Sequence, residues 1–158
     1  MHVDDEIFLY SERLISAADT ALYGRVTHEM MQAYWPSTAE RPDASRHDIE
    51  HSKWYNQVDK IVLSRTKNHT GDKGPEVISG NLSERINLRK RDAGNNILIF
   101  GSPSAAHPLM EVDLIDERWL FVNPILLGTG IRIFQGQNNS VADKQNVFFG
   151  RDRHALRH

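Results

Sequence analysis

Hydrophobic positions along the chain alternate between helical spacing and short continuous runs. Apolar residues recur at helical spacing from Asp4 to Ala18 and from Val26 to Tyr34, and a third helix is predicted from about Arg46 to Gln57. Compact runs of β-branched, aromatic and aliphatic residues predict strands at Thr20–Tyr23 and Lys60–Ser64. The first half of the chain is therefore predicted to alternate helices with strands.

The second half continues this alternation. Ile97–Phe100 is an unbroken apolar run, as expected of a strand covered on both faces. The other predicted elements are a strand at Glu76–Ile78, a helix from Asn81 that Gly94 ends, a helix from Gly101–Ser104 through Met110, and a closing hairpin of residues 146–149 and 154–157. The pattern predicts one α/β domain over residues 1–158, with ligands at the carboxyl ends of its strands.

The composition of the chain excludes several classes of protein. Hydrophobic residues make up 39% and charged residues 25% of the 158 residues, which is enough apolar material for a folded core. The net charge of −2 provides no field that would attract nucleic acid or an anionic membrane. Cysteine is absent, no apolar run approaches the ~20 residues of a membrane helix, and the acidic start does not resemble a signal peptide. We therefore expect a cytoplasmic location.

Three predicted strand ends each deliver small, hydroxylated or basic residues into a turn. They are Gly24-Arg25-Val26-Thr27, Ser64-Arg65-Thr66 and Gly101-Ser102-Pro103-Ser104. Glycine permits close backbone approach, a helix N-terminus offers free N–H groups, and arginine offers a planar fork for phosphate oxygens. Each segment alone is also explained by turn geometry, but the three together predict an anion site.

These segments resemble the dihydrofolate-reductase-like reductases, in particular the bacterial subgroup related to the C-terminal domain of the riboflavin-biosynthesis reductase. The shared motifs occur in order over roughly Asp4 to Phe134: Gly24 to Met30, Tyr34-Trp35-Pro36, Ser64-Arg65-Thr66, Phe100-Gly101-Ser102, Leu114-Ile115-Asp116-Glu117 and Pro124 to Gly130. The resemblance implies a three-layer sandwich with a mostly parallel central sheet and a C-terminal antiparallel hairpin. It also implies a homodimer.

The same resemblance implies an NADPH-dependent reductase acting on a pteridine, a riboflavin-pathway aminouracil or a similar small heterocycle. Arg25 and Thr27, following Gly24, would hold phosphates, and Ser64 and Arg65 would read the 2′-phosphate. The residues expected to pack against the pyrophosphate are Gly101, Ser102 and Ser104.

Relatives begin with a central strand and a loop against the nicotinamide, and we expect this chain to start after that segment. No catalytic residue is assigned, because no residue matches the proton-donating acid of true dihydrofolate reductases. The alternative is a nucleotide-binding homologue that is catalytically silent or truncated and acts through binding or assembly.

One further motif is interpreted as structural. His47-Asp48-Ile49-Glu50-His51 fits the H-x-x-E-H pattern of a zinc site, but a solvated helix face explains it without a metal. We therefore predict no metal site.

Overall fold

The computed structural model describes residues 5–66, 74–92, 94, 96–100, 102–122 and 125–134. The helices are α1 (Asp5–Ser16), α2 (Arg25–Tyr34), α3 (Arg46–Gln57), α4 (Leu82–Arg91) and α5 (Pro103–Glu111), with a 3₁₀ helix at Trp35–Glu40. The strands are β1 (Ala18–Gly24), β2 (Asp59–Leu63), β3 (Glu76–Ile78) and β4 (Asn96–Ile99). Gly101 and the predicted closing hairpin lie outside the described residues.

The four strands form one parallel sheet in the order β3-β2-β1-β4. Gly24 of β1 lies opposite Leu63 of β2, and Leu22 lies opposite Ile99 of β4. Parallel strands need crossover connections, which the intervening helices supply. Because all four strands run in the same direction, their carboxyl ends meet at one edge of the sheet.

Helices cover both faces of the sheet, so the protein is the predicted three-layer α/β sandwich. On one face Leu22 and Ile61 pack with Ile86 of α4 and with Leu109 of α5. On the other face the core cluster contains Ala21, Tyr23, Tyr55 and Val58, with Met31 and Trp35 packed against it. Alternate residues of β1 thus enter opposite cores, which explains why Ala21, Leu22 and Tyr23 are consecutive apolar residues.

The predicted helices and strands over residues 5–111 are confirmed, with most boundaries shifted by one or two residues. α3 occupies the predicted range, and its start is fixed by a capping box. Ser45 Oγ accepts a hydrogen bond from the Asp48 N–H, and the Asp48 carboxylate accepts one from the Ser45 N–H at 2.9 Å. None of the described helices is long and apolar enough to span a membrane.

β4 pairs with β1 on one side, and among the described residues no strand pairs with its other side. A cavity of about 1030 Å³ runs along this side, between β4 and the segment 114–121. Residues 116–122 belong to no strand and consist of three polar residues followed by four apolar ones. From Trp119 onward many large apolar side chains of the described residues are exposed, including Val122, Leu126 and Ile131. The sheet is therefore open along β4 in the described part of the chain.

Candidate functional site

The three segments singled out in the sequence follow strands whose carboxyl ends share one sheet edge. Gly24 ends β1 directly beside Leu63, so Ser64 follows at the same edge. Phe100 and Ser102 follow β4, whose Ile99 is in register with Leu22. In open parallel sheets this edge is where ligands bind.

Gly24 and Ser102 are in direct contact across the edge. A Cβ placed on Gly24 would lie 2.5 Å from Ser102 Oγ and 3.5 Å from Ala105 Cβ. Glycine is therefore required at position 24 for the β1–α2 turn to approach the start of α5. Ser102 itself has a φ of 56°, in the left-handed region that is unusual for a residue with a side chain.

Two helices begin at this contact. α2 starts at Arg25 with Gly24 as its N-cap, and α5 starts at Pro103 with Ser102 as its N-cap. Neither N-cap residue makes a side-chain capping bond, and neither helix has an acid in its first turn. The N-termini of the two helices therefore lie next to each other, and neither has an acid in its first turn to compensate the positive end of its dipole.

Hydroxyl groups surround this region. Ser102 Oγ and Ser104 Oγ lie 3.1 Å apart, and the Ser102 carbonyl accepts hydrogen bonds from the N–H groups of Ala105 and Ala106. Thr27 is half-buried in the first turn of α2. These groups provide neutral donors next to the two helix ends.

The β2 end adds a buried serine and an exposed arginine. The N–H of Ser64 donates to the Ile78 carbonyl at 3.1 Å, and Ser64 Oγ accepts from the Thr66 N–H at 3.3 Å. These bonds hold the turn that presents Arg65, whose side chain is exposed. Arg65 is therefore free of core packing and accessible to a ligand.

Arg25 lies at the first position of α2 and is paired with Glu29 one turn later. The guanidinium NH1 donates to both carboxylate oxygens of Glu29, at 3.1 and 3.0 Å. The two side chains are 40% and 43% exposed. The sequence pattern included Glu29 but assigned it no role, although the i, i+4 spacing of opposite charges is itself a signal for such a pair.

Several aromatic side chains pack around Phe100, the residue that follows β4. Tyr23 is 1% exposed and stacks on Phe100 with ring centroids 6.1 Å apart. Trp54 and His51 also contact the Phe100 ring, at 5.5 and 5.9 Å. Burial raises the pKa of Tyr23 above its ordinary range, so its hydroxyl stays neutral. This packing fixes the residue that immediately precedes the β4 turn.

The two histidines of the H-x-x-E-H pattern lie within an aromatic cluster. His51 is 8% exposed and its ring lies tilted against that of Trp35, with centroids 3.9 Å apart, while the His47 and Phe8 ring centroids are 4.3 Å apart. His51 is therefore buried, and the prediction of a solvated helix face is wrong for this residue. Burial lowers the pKa of His51 to about 4, and the neighbouring His47 contributes to the lowering. In the described part of the chain no cluster of three or more potential metal ligands occurs.

The chain is similar to a known protein family and to a curated bacterial protein. The model of the RibD C-terminal domain matches residues 9–152. An uncharacterized protein of Bacillus subtilis (strain 168), YyaP, is 32% identical over 122 residues, which is 76% of this chain. The matched region is 61% of the length of that relative.

Proposed function

The chain belongs to the RibD C-terminal domain family, a family of reductase-type domains, and we propose that it is an NADPH-dependent reductase. Its substrate is a pteridine, a pyrimidine of the riboflavin-pathway aminouracil type or a similar heterocycle. The observation that carries the proposal is the contact between Gly24 and Ser102, which brings two helix N-termini together at the carboxyl edge of a parallel sheet.

The residues at this edge fit a dinucleotide phosphate. A side chain at position 24 would clash with Ser102, so glycine allows the starts of α2 and α5 to lie close together. The absence of acids from the first turns of α2 and α5 leaves both dipole ends uncompensated. An anion at this position would satisfy N–H groups that the protein does not cap with its own side chains.

Each candidate residue has a role that follows from its place. Gly24 and Thr27 would contact phosphate oxygens at the start of α2, where Arg25 supplies charge. Ser102 and Ser104 would donate hydroxyl hydrogen bonds beside the pyrophosphate, against which Gly101, outside the described residues, would also pack. Ser64 and Arg65, at the neighbouring strand end, would contact the 2′-phosphate that distinguishes NADPH from NADH. Bound NADPH supplies the hydride, and the protein supplies position and electrostatics.

The cavity beside β4 is the candidate space for the nicotinamide and the heterocycle. It reaches Phe100 and Pro103, so it is continuous with the turn that carries Ser102. Ile97, Ile99 and Met110 give it an apolar wall, and its volume of about 1030 Å³ is at the upper end of the ~300–1,000 Å³ typical of small-molecule sites. An apolar wall next to a phosphate cradle suits a flat ring at the end of a charged cofactor.

Two assays test this proposal together. The purified protein is titrated with NADPH and NADH, and it is then mixed with NADPH and a panel of oxidised, reducible heterocycles from the pteridine and aminouracil classes. We expect NADPH to bind more tightly and at least one heterocycle to accelerate its oxidation. Binding without oxidation of NADPH by any acceptor would favour the catalytically silent homologue, and absence of binding would contradict both functions.

A further inference from the structure

Arg25 is held by a partner on its own helix. Both oxygens of the Glu29 carboxylate lie within 3.1 Å of Arg25 NH1, and the pair runs along the surface of α2. Both side chains remain about two-fifths exposed. An exposed i, i+4 pair of this kind is weak and exchanges readily with other ions.

The position of Arg25 explains why this pair forms. A cation in the first turn of a helix is opposed by the positive end of the helix dipole, and α2 has no acid in that turn. Glu29 lies one turn further on, where its carboxylate can compensate Arg25 without capping the N-terminal N–H groups. The helix end therefore stays open to an anion while its arginine is already paired.

We propose that Glu29 is a positioning residue that sets cofactor affinity by competing with the cofactor phosphate for Arg25. This inference rests on the proposed function. On binding, the Arg25 guanidinium exchanges the Glu29 carboxylate for a phosphate oxygen of NADPH, and the Glu29 carboxylate then lies near that phosphate. Two effects then oppose binding: the loss of the ion pair and the repulsion between like charges.

The expected size of the competition follows from the exposure of the pair. Exposed i, i+4 pairs and nearby like charges each have modest effects, so replacing Glu29 by glutamine should tighten NADPH binding about two- to five-fold at low ionic strength. The distance over which exposed charges interact shortens to about 10 Å at 0.1 M salt, so the repulsion between Glu29 and the phosphate, and with it the gain, should shrink as salt is added.

The test is a double-mutant cycle in the full chain. NADPH dissociation constants are measured for wild type, Glu29→Gln, Arg25→Gln and the double variant, at low and at high salt. Glu50→Gln is the matched control, because Glu50 forms a similarly exposed pair with Lys53 on α3 and its loss changes the net charge equally. Thermal unfolding of each variant verifies that all five proteins fold.

We expect Glu29→Gln to tighten binding, Glu50→Gln to have no comparable effect, and the gain from Glu29→Gln to disappear when Arg25 is also replaced. Weaker or unchanged binding in Glu29→Gln would overturn the inference, and so would a gain that persists without Arg25. These outcomes leave the proposed function intact as long as wild type binds NADPH. If wild type binds neither NADPH nor NADH, the proposed function fails as well.

Discussion

Ser102 Oγ occupies the space directly above Gly24, 2.5 Å from the position that a Cβ at residue 24 would take. The hydroxyl is held there by a backbone with a φ of 56°, and its other close neighbour is Ser104 Oγ at 3.1 Å. Non-glycine residues in this conformation are destabilised by roughly 1–2 kcal/mol. The strain lies at the junction of α2 and α5, where the phosphate site is proposed.

Replacing Gly24 by alanine should therefore weaken the site. The new methyl group would displace Ser102, and we expect a loss of about 1–3 kcal/mol in unfolding free energy together with weaker NADPH binding. Urea unfolding and cofactor titration measure the two effects. Gly80→Ala is the control, because a Cβ at position 80 has no neighbour within 4 Å. If Gly24→Ala and Gly80→Ala have the same unfolding free energy and the same NADPH affinity, the contact between residues 24 and 102 does not contribute to the site.

Stability should fall in mild acid because of His51. Its pKa is lowered from 6.5 to about 4 in the folded protein, chiefly by burial. At His51 the unfolded chain therefore binds a proton more readily than the folded chain. The free energy of unfolding keeps the His51 contribution above pH 6.5 and loses it as the pH falls toward 4. We expect a loss on the order of 2 kcal/mol over this range, measured by urea unfolding.

His51→Phe should remove most of this pH dependence while keeping a ring against Trp35. His107 lies on α5, outside the aromatic cluster, so His107→Gln should leave the pH dependence of the unfolding free energy unchanged. The low pKa of Asp48 affects stability only near and below pH 3.8, which separates its contribution from that of His51. An unchanged slope between pH 7 and 4.5 in His51→Phe would show that another group is responsible.

Metal should be irrelevant to folding and to cofactor binding. His47 and His51 contact aromatic rings, and their own ring centroids are 5.7 Å apart. We expect exhaustive chelation to leave the melting temperature and NADPH affinity unchanged. Stoichiometric zinc in the purified protein that is lost in His47→Ala would contradict this prediction.

The helices and strands up to α5 were predictable because their residues follow simple periodicities. β4 contains a continuous apolar run and β1 a short β-branched and aromatic run, and parallel pairing then places Gly24, Ser64 and Ser102 at one edge. Other features depend on tertiary geometry that a sequence pattern does not contain. Serine seldom adopts a positive φ, so the sequence does not indicate this conformation at Ser102. The burial of His51 depends on the positions of Trp35 and Phe100 in the folded protein.

The central claim is that the carboxyl edge of the sheet binds NADPH through its phosphates, and cofactor titration of Arg65→Ala tests it most directly. Arg65 is exposed at the β2 end, and charge-assisted bonds to phosphate contribute ~1.5–3 kcal/mol each. NADPH affinity should fall about ten- to a hundred-fold, NADH affinity should hardly change, and the exposed control Arg91→Ala should bind both as wild type does. Equal binding of NADPH and NADH that Arg65→Ala leaves unchanged would contradict the account.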